Sequence, residues 1–256
     1  HGFVGSWQDF ADLGERLAAG GLHVRAPRLP GHATTPCDFA RQNPDAMLAA
    51  AVEEFRALSN EYQAVYVVGF SMGGALGTLL AAGEPVDRLV LAAPYYGVTY
   101  RWFYVLRPEW WNSMLGWAIP YVYKGETFVK VNRREDVGRW FSYATVPTRG
   151  VKTLTALGRR ARDPKTLGAV DCPVLMITSV GDEAASPHRA RRAMERIGSD
   201  HVRELWLERS NHHIFWDWER ELVKQAIADF LTAPRSEVTA GRQVDEVKDG
   251  RIRRQR

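Results

Sequence analysis

Residues 64–74 read Ala-Val-Tyr-Val-Val-Gly-Phe-Ser-Met-Gly-Gly. A short β-branched and aromatic run of this kind reads as a strand buried on both faces. It stops at a serine hemmed in by glycines, and a stretch of small residues over 72–82 then predicts a helix. Strand, Gly69-x-Ser71-x-Gly73 turn and helix together form the setting of a nucleophile elbow. Glycines on either side let the chain turn sharply and leave Ser71 strained, with its hydroxyl exposed at a helix N-terminus. There the unpaired N–H groups and the helix dipole favour developing negative charge. A tight turn that needs small residues for steric reasons would explain the same glycines. The two readings separate only if the rest of the chain supplies partners for a reactive serine.

Working outward, the runs at 88–92 (Arg-Leu-Val-Leu-Ala) and 173–178 (Pro-Val-Leu-Met-Ile-Thr) resemble the first, and a further strand is expected near Glu204–Leu207. Between them lie helical patterns at 44–58, 72–82, 187–197 and 214–231, and an amphipathic one at 7–19. Met47, Leu48, Val52, Phe55 and Leu58 recur near a 3.6-residue period, with Pro44 where a first helical turn tolerates it. This alternation predicts an α/β fold with a mostly parallel, doubly wound sheet. It fails between residues 99 and 168, which hold five of the nine tryptophans and no buried-strand run. That segment reads as a cap inserted over the sheet, so the core comprises 1–98 and 169–235. Residues 236–256 are polar and charged and read as a frayed, disordered tail, the alternative being an added hairpin.

A chain of 256 residues with 45% hydrophobic content can bury one sizeable core. Two cysteines, Cys37 and Cys172, are too few for a disulfide framework and lack zinc-site spacing. No apolar run approaches a membrane span and no signal segment opens the chain, so a soluble, cytoplasmic protein is expected. The net charge of +4 is unevenly placed, with 13 Lys/Arg against 5 Asp/Glu in residues 99–168. Nucleic-acid binding would use such an excess, but the chain carries no recognised module for it.

A serine hydroxyl is a weak nucleophile at neutral pH and needs a histidine base oriented by a carboxylate. On an α/β sheet these arrive later in the chain, at strand ends, in the order serine, acid, histidine. The strand at 173–178 runs into Ser179-Val180-Gly181-Asp182-Glu183, where Asp182 is the favoured acid and Glu183 its alternative. The strand near 204–207 runs into Ser210-Asn211-His212-His213, and spacing does not separate the two histidines. Two backbone donors should face a developing oxyanion. Met72 N–H, directly after the serine, is one; the glycine-rich opening His1-Gly2-Phe3-Val4-Gly5-Ser6 points to Phe3 N–H as the other. His23 and His32 have no partners at ligand spacing and read as structural, so neither a metal nor an organic cofactor is expected.

At this point the sequence resembles the α/β-hydrolase superfamily, in the branch of bacterial carboxylesterases and monoacylglycerol lipases. The likeness rests on His1-Gly2-Phe3-x-Gly5-Ser6, Pro30-Gly31-His32 with Thr34-Thr35-Pro36, Gly69-Phe70-Ser71-Met72-Gly73-Gly74, Asp182-x-x-Ala185-x-Pro187 and Ser210-Asn211-His212-His213-Ile214. It implies Ser71 as nucleophile, Asp182 as acid, and Phe3 and Met72 as oxyanion donors. It also resolves the histidines in favour of His212, two residues after Ser210 and two before Ile214, with His213 the alternative. The resemblance further implies strands ahead of His1, which this sequence does not contain. Asn211-His212-His213 departs from the more usual Gly-His-Val.

The implied activity is hydrolysis of carboxylic esters through an acyl-enzyme, on a small-molecule ester or lipid. A thioesterase, an acyltransferase or a carbon–carbon bond hydrolase with the same triad, or a non-catalytic binding protein, is the alternative. In the cap, Trp102, Trp110, Trp111 and Trp117 are candidates for an acyl-chain pocket, with Lys124, Lys130, Arg133 and Arg134 turned to water. A basic, aromatic cap would also suit transient contact with an anionic lipid surface.

Overall fold

The buried runs and the helices between them build one six-stranded sheet wrapped on both faces. The computed structural model of the chain describes residues 1–99, 119–123, 129–238, 241–248 and 251–254. Its strands are β1 (Tyr66–Phe70), β2 (Arg88–Ala92), β3 (Tyr121–Tyr123), β4 (Thr145–Pro147), β5 (Val174–Ser179), β6 (Val202–Leu207), β7 (Gln243–Lys248) and β8 (Arg251–Arg254). The main helices are α1 (Leu13–Ala19), α2 (Pro36–Ala40), α3 (Pro44–Glu61), α4 (Met72–Ala81), α5 (Thr148–Ala161), α6 (Pro164–Gly168), α7 (Pro187–Met194) and α8 (Arg220–Thr232). The sheet runs β1-β2-β5-β6-β7-β8, parallel throughout except for β8, while β3 and β4 pair separately as an antiparallel ribbon.

Side-chain alternation along the strands sorts the core into two layers. Leu89, Leu91, Val174, Met176, Val202 and Trp206 face α3, α4, α5 and α7. Val90, Ala92, Leu175, Ile177, Leu205 and Leu207 face α1 and α8. Each fully buried aliphatic side chain contributes about 1.5–3 kcal/mol relative to exposure. Because the strands are buried on both faces, they read as continuous apolar runs. The register pairs Phe70 with Ala92 and Ser179 with Leu207, so the C-terminal ends of β1, β2, β5 and β6 lie along one edge. Loops leaving that edge carry the elbow, Asp182 and the His212–His213 pair.

Three expectations are corrected. Residues 236–256 do not fray throughout: β7 adds in parallel to β6, Arg203 opposite Gln243 through Trp206 opposite Glu246, and β8 folds back on β7. Charge hid this because the tail's polar groups are used within the fold. Asp245 is buried against the Arg203 guanidinium at 3.0 Å, and Arg242 donates to the carbonyls of Met194, Ile197 and Ser199. Val247 is buried in the layer under α1 and α8. The hairpin joins the edge opposite β1.

The second correction concerns residues 214–231. Helix α8 starts only at Arg220, because Asp217 and Glu219 turn their carboxylates back onto the preceding loop. Similarly, the stretch at 7–19 is a 3-10 turn (Trp7–Phe10) and then α1, separated by Ala11 at φ 51°. Within 99–168, α5 packs Leu157 and Ala161 into the same layer as α4. Trp102, Trp110, Trp111, Trp117 and Lys124 lie outside the described residues. Among the described residues, no helix is long and apolar enough to cross a membrane.

Candidate active site

The elbow is enforced by backbone contact. Ser71 has φ 52° and ψ −112°, between the end of β1 at Phe70 and the start of α4 at Met72. A non-glycine residue there costs on the order of 1–3 kcal/mol, so the surroundings must hold it. Its carbonyl accepts from Gly74 N at 2.9 Å and Tyr95 N at 2.9 Å, and its N–H donates to Ala92 O at 3.0 Å. Helix α4 crosses so close to β1 that a Cβ on Gly69 would overlap the Gly73 carbonyl. A Cβ on Gly73 would stand 2.9 Å from His1 O. Glycine is required at both positions by close approach.

His212 lies between the serine and the acid. Its Nε2 is 2.9 Å from Ser71 Oγ and its Nδ1 is 2.7 Å from Asp182 Oδ2. With Asp182 as a carboxylate, Nδ1 carries the proton and donates it, leaving Nε2 to accept from the serine hydroxyl. The other carboxylate oxygen, Oδ1, accepts from Ala184 N and Ala185 N, both at 2.8 Å, which fixes its plane. All three side chains are buried.

The alternatives lie elsewhere. Glu183 points outward to Lys130 at 3.1 Å. His213 packs its ring against Trp140 at 4.7 Å and Phe70 at 5.6 Å, while its N–H donates to Lys130 O at 3.0 Å.

The glycine-rich opening forms a turn directly over the elbow. Buried Asp9 organises it by accepting from Gly2 N at 2.8 Å, and Val4 takes φ 57°. His1 Nε2 accepts from Leu29 N at 3.2 Å, and Tyr143 N donates to Val4 O at 3.0 Å. Among the described residues, neither Phe3 N–H nor Met72 N–H donates a hydrogen bond. Met72 is the first residue of α4, whose N–H has no intrahelical acceptor.

Several residues given no role in the sequence reading hold these loops. Glu219 accepts from Glu208 N, Arg209 N and Ser210 N at 2.8–3.2 Å and from Ser210 Oγ at 2.6 Å. Asp217 is fully buried; it accepts from Asn211 N and Asn132 N, each at 2.7 Å, and from Arg133 N and Trp218 N. Asn211, where glycine is more usual, accepts from both Glu183 N at 3.0 Å and His212 N at 2.9 Å, tying the acid loop to the histidine loop. The available signal was two acids in an otherwise aromatic run, Phe215-Trp216-Asp217-Trp218-Glu219. A helical period absorbs them there without remark.

From the segment expected to cap the sheet, Tyr143 OH donates to Gly31 O at 2.9 Å and accepts from Thr34 N at 2.8 Å. Among the described residues, several basic side chains expected to face water are engaged instead. Lys130 pairs with Glu183, and Arg133 joins Arg139 and Arg220 around buried Asp136. Arg134 reaches the Val129 carbonyl at 3.4 Å.

Two outcomes are expected. Glu219→Gln places an amide donor against N–H donors, so urea unfolding should register a loss of about 1–3 kcal/mol, and amides 208–212 should exchange faster. An unchanged unfolding midpoint with unchanged exchange would contradict this. His32 is buried beside His1 and Phe39, and burial pushes its pKa down from 6.5 to about 4 against the Pro30 carbonyl contact. Between those values the unfolded chain binds the proton and the folded one does not, so stability is lost as pH falls from 6.5 towards 4. Wild type should lose about 2 kcal/mol more than His32→Asn between pH 7 and 4.5, and parallel losses would show that His32 does not carry the effect.

Residues 1–225 match the family model described as Alpha/beta hydrolase family. A carboxylesterase from Bacillus subtilis (strain 168) is 23% identical over 90% of this chain and 89% of its own. A thermostable monoacylglycerol lipase from Bacillus sp. (strain H-257) is 25% identical over 90% of this chain and 88% of its own. A solved structure reported for LipS and LipT, two metagenome-derived lipolytic enzymes, superposes with a TM-score of 0.79 at 27% identity, covering 90% of each chain. With its sheet order, its elbow at Ser71 and a family match over most of its length, the chain belongs to the alpha/beta hydrolase family.

Proposed function

We propose that the protein hydrolyses carboxylic esters, as a serine esterase of the carboxylesterase or monoacylglycerol lipase type. The observation that carries this reading is the continuous chain Asp182–His212–Ser71, with links of 2.7 and 2.9 Å. The names of the two Bacillus relatives support the ester class.

In this mechanism Ser71 Oγ attacks the acyl carbonyl while His212 Nε2 takes its proton. Asp182 keeps the imidazole in the productive tautomer and stabilises the imidazolium. The tetrahedral oxyanion sits against Phe3 N–H and Met72 N–H at the positive end of α4. Collapse breaks the bond to the alcohol oxygen, which receives the proton from His212, and leaves an acyl group on Ser71. Water then attacks that ester, delivering its proton to His212, and the second collapse returns the proton to Ser71 and frees the acid. Every proton transfer runs through His212.

The test is hydrolysis of p-nitrophenyl esters from acetate to palmitate by wild type, Ser71→Ala and Asp182→Asn. Ser71→Ala should lower kcat/KM at least about 1,000-fold on every ester that wild type cleaves, and Asp182→Asn should lower kcat by a similar factor with KM little changed. Wild-type rates in Ser71→Ala, or no hydrolysis by wild type of any ester in the series, would overturn the proposal.

A further inference from the structure

Away from the triad, a cleft of about 580 Å³ opens between the C-terminal end of α5, the start of α6 and the outer face of α7. Five arginines line it: Arg159, Arg162, Arg189, Arg192 and Arg196. Among the described residues the lining holds one acid, Asp163, which caps α6 by accepting from Lys165 N at 2.9 Å and leaves the arginines in excess. Neither α5 nor α7 contains an Asp or Glu.

Other arginines of these helices are matched. Arg160 pairs with Asp45 at 2.6 Å, and Arg191 lies over the Trp206 ring at 4.5 Å. Arg159, Arg192 and Arg196 make no ion pair among the described residues. Arg162 and Arg189 are held from behind, both donating to Tyr96 O, at 2.9 and 3.3 Å. Helical spacing brings Arg189 and Arg192 together on α7 and Arg159 and Arg162 together across the end of α5, while Arg196 sits in the turn that follows α7, its N–H donating to Ala193 O at 3.0 Å.

Like charges at such spacings repel, and Arg159, Arg192 and Arg196 face one cavity beside the guanidinium groups of Arg162 and Arg189, a concentration of positive charge that favours an anion among them. Guanidinium forks match phosphate oxygens in pairs and stay charged at any working pH. The volume lies in the range of small-molecule sites and exceeds what one orthophosphate fills. The floor is apolar, from Leu167 and Ala193. We infer that this cleft binds a small molecule carrying two or more linked phosphate groups, at a site separate from the triad. This inference does not depend on the esterase reading. The two sites share a backbone link, because Tyr96 O anchors the arginines and the adjacent Tyr95 N holds the Ser71 carbonyl.

Isothermal titration of the wild-type protein with pyrophosphate and with ATP, free of magnesium and at 50 mM NaCl, tests it. Dissociation constants in the range of tens of micromolar are expected, weakening about tenfold by 300 mM NaCl, with orthophosphate binding far more weakly. The double variant Arg192→Glu/Arg196→Glu, at two exposed positions, should abolish binding while leaving p-nitrophenyl butyrate hydrolysis within about twofold of wild type. Arg149→Glu/Lys152→Glu makes the same change in net charge on α5 outside the cleft lining and should retain binding. No heat with either ligand up to 1 mM, or equal affinity in the Arg192→Glu/Arg196→Glu variant, would overturn the proposal. So would adsorption to phosphatidylglycerol vesicles that pyrophosphate fails to displace, which would assign the arginines to a lipid surface.

Discussion

The close crossing of β1 and α4 is the constraint on which the rest depends. Gly69 and Gly73 meet backbone to backbone, and Ser71 at φ 52° is the residue left to make the turn. That conformation is unfavourable in isolation and is held by hydrogen bonds from Tyr95 N and Gly74 N and to Ala92 O. These partners lie on the strand-end loop next door and on α4 itself, so the elbow is stable only once β1 and β2 are paired. The turn around Phe3 seats against Gly73 in the same crossing. Thus a single steric arrangement fixes the serine and seats the opening turn against the start of α4.

The histidine side of the site is held differently, by buried carboxylates. Asp217 and Glu219 between them accept seven backbone N–H groups, and none of these contacts is an ion pair. A buried carboxylate satisfied by several N–H donors is stable without a counter-ion. This leaves residues 208–212 with little freedom, and Asn211 transmits their position to the loop of Asp182. Residues 132 and 133 share Asp217, so the stretch between β3 and β4 is fastened to the histidine loop as well.

Much of this was legible in the sequence, for a physical reason. Strands buried on both faces leave unbroken apolar runs, and β1, β2 and β5 were found within two residues by that signal, whereas β6 carries Arg203 and Glu204 and was expected only near Glu204–Leu207. The elbow and the loop of Asp182 were visible because glycine and strand-end position restrict them. Spacing left His212 and His213 open and the resemblance favoured His212; in the fold His213 is turned into Trp140 and Phe70, while His212 lies between Ser71 and Asp182. Hairpin β7–β8 was only the alternative reading of the tail because its charges are spent on carbonyls and on the Arg203–Asp245 pair, which composition alone reads as solvated. Asp217 and Glu219 were missed because they satisfy a helical period while serving as loop acceptors. The arginine cleft depends on two helices 30 residues apart in sequence, and no local pattern announces it.

The central claim is that the strained serine at the end of β1 is the reactive atom of the molecule. Intact-mass and peptide mass spectrometry after reaction with a fluorophosphonate measures this directly. The account predicts one adduct per chain, located on the peptide containing Ser71, formed quickly in the folded protein and lost on unfolding in urea before the reagent is added. An adduct on another serine, or labelling of the folded chain no faster than of the unfolded one, would contradict it.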